Sequence, residues 1–316
     1  MSSLNTFPAI AILIALISLV VALRASGLLK IDDGPLFARI VTHLTLPATI
    51  FYALAHARDL QWDYALVVLF LFAAETLLLL LAWLTGRALK LSRPQLGSLM
   101  LVSAFGSSAL LGYALIEQLF PNDVEALSEA VFISELGVGV GLFTLGTLVA
   151  IHFGQAANSA NSMLRSLGLF AKSPIFLSIL AGLAYGQFQA PVDGPFFKEL
   201  FAALHLVAQA NTFFVILTIG VMLQFHGLKA LAGLAAVAIV LKLLVSPLLV
   251  WLPSQAMSLQ TWQMDVILLE SAMPSALLSV VLAARYGCDA LLASKLVYVT
   301  TLVSAGSILL VLEILG

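Results

Sequence analysis

Apolar runs long enough to cross a bilayer follow one another along nearly the whole chain, and that succession limits the fold more than any motif does. A helix needs about 20 mainly apolar residues to span a hydrocarbon core of roughly 30 Å. Ten runs qualify, at 8–24, 36–55, 63–86, 95–120, 126–151, 173–190, 196–223, 228–251, 263–285 and 291–313. Only 9% of the 316 residues are charged, where a soluble domain carries about 25%. A chain so poor in charge cannot cover a surface in water. In lipid every backbone N–H and C=O must be satisfied within the protein, and helices do this internally. The expected class is an all-α polytopic membrane protein embedded in a lipid bilayer.

The connections between runs set a direction. Lys and Arg collect in cytoplasmic loops. Arg24, Lys30, Arg39, Arg87, Lys90, Arg93, Arg165, Lys172, Lys229, Arg285 and Lys295 fall in the first, third, fifth, seventh and ninth connections. Arg58 and Lys198 fall on the opposite side. Eleven against two places both termini outside, in a multi-pass plasma membrane protein of the bacterial inner-membrane type with periplasmic ends. The opening "MSSLNTF" has no Lys or Arg, so the first run is expected to be a retained span rather than a cleaved signal. A net charge of −2 without a basic run leaves nucleic acid out as a partner. Cys288, the one cysteine, leaves no intrachain disulfide.

The longest connection, 152–172 ("HFGQAANSANSMLRSLGLFAK"), is polar and rich in Asn and Ser. It reads as a cytoplasmic linker, with room for a short surface helix, between a first five-helix repeat at 1–151 and a second at 173–316. Five is odd, so the second half enters the membrane inverted. The phrases "SAFGSSALL" at 103–111 and "SAMPSALL" at 271–278 lie 168 positions apart (271 − 103), in the fourth span of each half. Gly106 and Pro274 each sit about 16 Å into their spans from opposite faces, at 1.5 Å per residue, near the midplane. Glycine and proline weaken or remove helical hydrogen bonds. Helices 4 and 9 are therefore expected to break and cross there, as in the inverted repeats of secondary transporters. A half-helix begins after each break, near Ser107 and Ser108 and near Ser275. Its first N–H groups lack intrahelical acceptors, and its N-terminus carries about half a positive charge. Two such ends aimed at one cavity suit a carboxylate. Ser103, Gly106, Ser107, Ser108, Pro274 and Ser275 are the candidate substrate-binding residues on this ground. Small residues also serve helix packing in membranes, and the matching of the two clusters is what favours a site.

Several stretches resemble a known family. "GLL" (27–29) followed by "FARIVTHLTLPATIFYALA" (37–55), then "SPIFLSILAGLAYG" (173–186), "KLLVSPLL" (242–249) and "SAMPSALLSVVLAARYGCDALLASKLVYVTTLVS" (271–304) are similar, in order and spacing, to the auxin efflux carrier family. The resemblance covers nearly the whole chain. It implies a ten-span fold of the bile-acid/auxin-transporter type, with a scaffold bundle holding a core bundle that contains the crossed helices 4 and 9. It also implies transport of small organic acids. Carried over, the fourth-span site falls at 105–112 and the ninth-span site at 272–276, which adds Met273. The chain departs from the family pattern in the fourth span, where Ser107 or Ser108 stands for a usual Asn and Tyr113 for a usual Pro. His43 stands for another Asn, and "AQANTFFVILTIG" lacks the proline usual in the seventh span.

Charge at the bilayer centre costs at least about 2.5–3.5 kcal/mol. Glu75 and Lys242 lie deep in the third and eighth spans, 167 positions apart (242 − 75). That is nearly the repeat offset, so a pseudo-two-fold would bring them together. They are expected to pair or to face one polar cavity, either as a static tie or with a protonation switch on Glu75. Glu135 and Glu270 enter from the outer face and read as gates, ion ligands or vestibule residues solvated by water. Glu75, Lys242 and Glu270 are the coupling or ion-pair candidates. His205 and Gln209 share one helix face at i, i+4. With Asn211 and His43 they either bond helix to helix or line the substrate path, and Gln209, Asn211 and His43 join the substrate-binding candidates.

The expected function is secondary active transport of a small organic anion by alternating access. No "GxxxxGK[ST]" loop occurs, so the expected energy source is an ion gradient, with Na⁺ or H⁺ as coupling ion. No cofactor, no metal site and no catalytic residue is expected. A sodium-coupled bile-acid-like symporter is the alternative within the fold, with Glu270 or Gln209 on the ion. An intramembrane serine hydrolase would use Ser108 with His43 or His205 as base, and would have no use for an inverted second copy. A ligand sensor without transport is the remaining alternative. The small-residue stretch "GVGVGLFTLG" (137–146) packs helices within a monomer or across a homodimer.

Overall fold

The computed structural model describes residues 3–57, 62–154, 168, 171–189, 194–222 and 231–315. Most of the linker 152–172, and the cations Arg58, Arg165 and Lys229, lie outside the described residues. The described residues form helices and no β-strand. We label α1 Ser3–Ala25, α2 Ile31–His56, α3 Trp62–Ala88, α4 Arg93–Ala104, α5 at 108–119 and α6 Val124–Phe153. There follow α7 Pro174–Gln187, α8 Pro195–Met222, α9 Ala232–Ser254, α10 Thr261–Ala272, α11 Leu277–Tyr286 and α12 Ala290–Leu315. Among the described residues six helices are long and apolar enough to cross a bilayer by themselves, namely α2, α3, α6, α8, α9 and α12. The expected fourth and ninth spans are each divided, into α4 and α5 and into α10 and α11. A helix of 12 residues, the length of α4 and of α10, covers only about 18 Å.

Both divided spans start in the same way. The Ser92 N–H donates to Gln95 Oε1 at 3.2 Å and the Gln260 N–H to Gln263 Oε1 at 2.8 Å. In each, a glutamine three residues in reaches back to an otherwise orphaned donor. Asp123 Oδ1 accepts the N–H groups of Glu125 and Ala126 to start α6. Ser173 Oγ accepts from Phe176 N–H at the start of α7, where Pro174 fits the first helical position. Gly287, at φ +79°, closes α11 in the left-handed conformation that glycine adopts without strain. Cys288 follows it, and burial with Asp289 alongside pushes its thiol up to about 11, which keeps it as an inert packing residue.

Wide π-helical turns interrupt α2 (Val41–Thr45), α6 (Ser134–Gly139 and Leu142–Gly146) and α9 (Val240–Val245), and open α5 (Ser108–Gly112). Two of these have a local cause. Pro47 and Pro247 lack an N–H, and a proline ring crowds the carbonyl four residues back. The wide turn just before each proline takes up the misfit.

Two layers of the apolar core hold the interrupted spans. One holds Tyr113–Leu119 of α5 with Val266, Leu268 and Leu269 of α10. The other holds Leu96–Leu101 of α4 with Leu282, Ala283 and Tyr286 of α11. The part of one span before its break thus shares a layer with the part of the other span after its break. This is the packing of two rods that pass each other in opposite senses. Helix α3 shows how the assembly meets lipid. Leu66, Leu69, Leu77, Leu80 and Leu84 are exposed on one face, while Val67, Leu71, Ala74, Leu78 and Ala82 are buried on the other. Such a helix is apolar all round because both of its surroundings are apolar.

Candidate functional site

Phe105 is extended (φ −99°, ψ 131°) where α4 stops. Met273 is extended (φ −59°, ψ 144°) where α10 stops, the conformation that a following proline imposes. Two interrupted backbones at this depth would leave polar groups bare. They satisfy each other instead. The Ser107 N–H donates to the Pro274 carbonyl at 2.7 Å, and the Ala276 N–H donates to the Phe105 carbonyl at 2.9 Å, forming an antiparallel bridge at Gly106 and Ser275. The first break contains no proline, so this pairing is what holds it open.

Side chains complete the crossing. The Leu101 carbonyl accepts from the Phe105 N–H at 3.3 Å, and the carbonyls after it at the end of α4 lack intrahelical donors. Ser275 Oγ donates to Val102 O at 2.7 Å and Ser279 Oγ to Leu101 O at 3.1 Å. Thr300 Oγ1 donates to Ser275 Oγ at 3.0 Å and holds it in place. The end of α10 is served differently. The Lys242 ammonium donates to Ser271 O at 2.9 Å and to Ser246 Oγ at 3.1 Å. A cation there faces the negative end of a helix dipole, worth roughly 0.3–2 kcal/mol depending on burial. A Cβ on Gly106 would lie 3.2 Å from the Lys242 nitrogen, so the absence of a side chain at 106 lets the lysine reach the crossing.

The two half-helices that start beyond the breaks open on a common cavity. In α5 the first backbone N–H groups to find an acceptor are those of Leu111 and Gly112, which both donate to Ser107 O. The N–H groups of Ser108, Ala109 and Leu110 precede them. In α11 the Ser279 N–H donates to Ala276 O, and Leu277 and Leu278 precede it. All five of these early residues line one cavity of about 120 Å³, with Gly106, Ser107, Ser134 and Glu135 beside them. Its remaining walls are mostly apolar, from Leu46, Val138, Leu142, Phe143, Ile175 and Val281. A second cavity of about 120 Å³ lies on the other flank of α11, shares Ser107, Leu277 and Val281, and is lined by Ser275. Each is smaller than the roughly 300–1,000 Å³ of a drug-sized ligand site.

Buried charge surrounds the crossing. Glu75 on α3, Glu135 on α6, Lys242 on α9 and Glu270 on α10 are 3%, 5%, 2% and 1% exposed. Tyr113 Oη donates to Glu135 Oε1 at 2.9 Å, and Ser134 Oγ donates to Ser108 Oγ at 2.9 Å. Both carboxylate oxygens of Glu75 and both of Glu270 have no hydrogen-bond partner. Each of these two carboxylates lies within Coulombic range of Lys242. Glycines make room for them. A Cβ on Gly141 would run into Glu75 Oε2, and one on Gly112 would lie 2.5 Å from Glu270 Oε1.

The residues singled out from the sequence separate into groups. Gly106, Ser107 and Ser108 line the first cavity, and Ser275 lines the second. Met273 and Pro274 line a different recess, against Leu13 and Ile17 of α1. Ser103 is fully buried in α4, and its hydroxyl has no hydrogen-bond partner. Asn211 is buried too and accepts from Thr45 Oγ1 at 2.8 Å, tying α8 to α2. Gln209 and His205 line a separate pocket of about 360 Å³ with Glu117 and Thr212, where His205 stacks on Tyr52 at 4.8 Å. His43 is exposed, with Nδ1 near Thr42 Oγ1 and Arg39 O. Glu75 and Lys242 come near each other without a hydrogen bond between them. Glu270 is buried rather than solvated. Ser134 and Glu135 are cavity residues that sequence reasoning did not assign to it, and Tyr113 bonds one of them from α5. Their bonds join helices 22 and 26 positions apart, and no motif marks such a pairing.

Long apolar helices, with two interrupted ones meeting backbone to backbone beside a mostly apolar cavity, define a multi-pass membrane protein. The family described as membrane transport protein matches residues 7–312. The chain belongs to that family, the auxin efflux carrier family. It is 28% identical over 281 residues to an uncharacterized transporter of Methanocaldococcus jannaschii, covering 87% of each chain. It is 26% identical over 290 residues to an uncharacterized transporter of Methanothermobacter thermautotrophicus, covering 90% of each.

Proposed function

We propose that this membrane transport protein is a secondary active carrier of a small organic anion, held where the two half-helices begin. One observation carries the proposal: the N-terminal residues of α5 and α11 line a single cavity at the paired breaks. Unpaired N–H groups and the positive ends of two helix dipoles converge there, which is the arrangement that favours a carboxylate. The cavity volume suits a small acid.

The order of the helices supports a ten-span inverted repeat. α4 and α10 have equal lengths of 12 residues and begin 168 positions apart (261 − 93). With an odd number of spans per half and the Lys/Arg bias of the loops, both termini lie outside. Alternating access follows if one bundle rocks against the other about the crossing. Coupling to a cation is favoured by charge. Two buried carboxylates, Glu75 and Glu270, lie within Coulombic range of one buried ammonium, Lys242, so the unloaded group is short of positive charge, and an arriving anion deepens the deficit. Bound H⁺ or Na⁺ offsets it. A serine hydrolase is disfavoured because neither His43 nor His205 lines the cavity that Ser108 faces.

A thermal-shift screen of small mono- and dicarboxylates on the purified protein, with and without Na⁺, followed by uptake into proteoliposomes, tests the proposal. At least one carboxylate is expected to raise the melting temperature and to be accumulated when an ion gradient is imposed. Failure of every carboxylate to bind, in Na⁺ and at acid pH alike, would end the anion-carrier reading.

A further inference from the structure

Resting on the carrier reading above, we infer that Glu135 is the residue through which the cavity selects its anion, and that it holds a proton whenever the anion is bound. Glu135 is the one ionisable side chain among the residues lining the first cavity. Among the described residues no Lys, Arg or His lines that cavity, so an ionised Glu135 would set one negative charge against another in an apolar surround. Neither charge would be balanced there, and uncompensated buried charge is costly.

The geometry shows where the proton goes. Tyr113 Oη donates to Glu135 Oε1 at 2.9 Å. The other oxygen, Oε2, faces the gap at Gly139, where a Cβ would lie 3.3 Å from it. Gly139 itself lines the cavity. A proton taken from water onto Oε2 turns an acceptor into a donor pointed at the cavity. The carboxylate of the substrate then accepts from this O–H as well as from the half-helix N–H groups. Deprotonation turns the same group from partner to repellent. One anion and one proton therefore enter together, and a monocarboxylate crosses without net charge.

The neighbours make Glu135 the carrier of this proton rather than Glu270. Glu270, from α10, lies within Coulombic range of Lys242, as does Glu75 of α3. Tyr113, from α5, faces Glu135 as a neutral donor, and Glu270 adds a second carboxylate nearby. Glu129 lies earlier on α6 itself. From α2, α7 and α11 the cavity receives Thr42, Leu46, Ile175, Leu277, Leu278 and Val281, none of them charged. The cavity walls also indicate the substrate. With mostly apolar walls and a single proton donor, it fits a monocarboxylate with a short apolar body better than a dicarboxylate, whose second charge would have no partner.

Calorimetric titration of the purified protein with isobutyrate, benzoate and malonate, in two buffers of different ionisation enthalpy at several pH values, counts the protons bound with each anion. The wild type is expected to take up about one proton per monocarboxylate above neutral pH, with affinity falling about tenfold per pH unit there, and to bind malonate more weakly. Glu135→Gln is expected to bind with no proton uptake and no pH dependence, and Glu135→Asp to keep the proton count. Should Glu135→Gln not fold, the proton count of the wild type and of Glu135→Asp still decides. A count of zero in either, or an unchanged count in Glu135→Gln, overturns the role of Glu135 while leaving the anion site standing. If none of the three anions binds at any pH, the carrier reading falls and the inference with it.

Discussion

Lys242 is the one buried cation among the described residues of a helical layer that also buries Glu75, Glu135 and Glu270. Its ammonium closes the end of α10 through Ser271 O and lies within Coulombic range of two of those carboxylates. Removing one partner from a buried charged group leaves the others uncompensated, which typically costs about 3–5 kcal/mol. Lys242→Met is therefore expected to lower the melting temperature sharply. The double substitution with Glu75→Gln is expected to recover part of the loss, because it removes a charge that the lysine had balanced. Equal stability of Lys242→Met and wild type would show that the ammonium compensates nothing. Partial recovery is the informative result, since a purely packing role for the lysine stem would give additive losses.

At the scale of elements, the breaks are mutual. The second is pinned locally, because Pro274 forces Met273 to be extended, while the first is held by hydrogen bonds to the second. Pro274→Ala keeps both inter-break bonds and loses only the preorganisation that proline supplies, about 0.4–1 kcal/mol. Gly106→Ala places a methyl group 3.1–3.2 Å from the end of Lys242 and disturbs the ammonium as well as the crossing. Gly106→Ala is expected to be the more damaging in a comparison of melting temperatures, and the reverse order would mean that the first break stands alone. This layer of the structure was partly legible in the sequence. Gly106 and Pro274 announce interruptions because their chemistry weakens a helix wherever they stand. The π turns at Ser108–Gly112 and Ser134–Gly139 do not, because a wide turn has no residue type of its own. Those turns lie where Glu135, Ser134 and Ser108 approach one another, so that meeting was invisible. Gln209 shows the converse. α8 is apolar on most of its circumference, and its sequence does not say which face turns to the crossing.

For the molecule as a whole, ten apolar runs and a repeated phrase were enough to reach an all-helical membrane protein with two interrupted spans. Family membership over residues 7–312 agrees with that reading. What the runs could not show is the layering, in which each half-span packs with the opposite half of its counterpart. That arrangement depends on contacts between residues about 170 positions apart, such as Ser275 with Val102, and single-chain periodicity carries no trace of them. It also turns two helix N-termini toward one space. The most direct measurement of that convergence is a crystal structure with 3-bromopropionate, using the anomalous signal of bromine to locate the bound acid. The bromine is expected within the cavity lined by residues 108–110 and 276–278, with the carboxylate against the N–H groups that begin the two half-helices. Bound bromopropionate found elsewhere, with that cavity empty, would contradict the account at its centre.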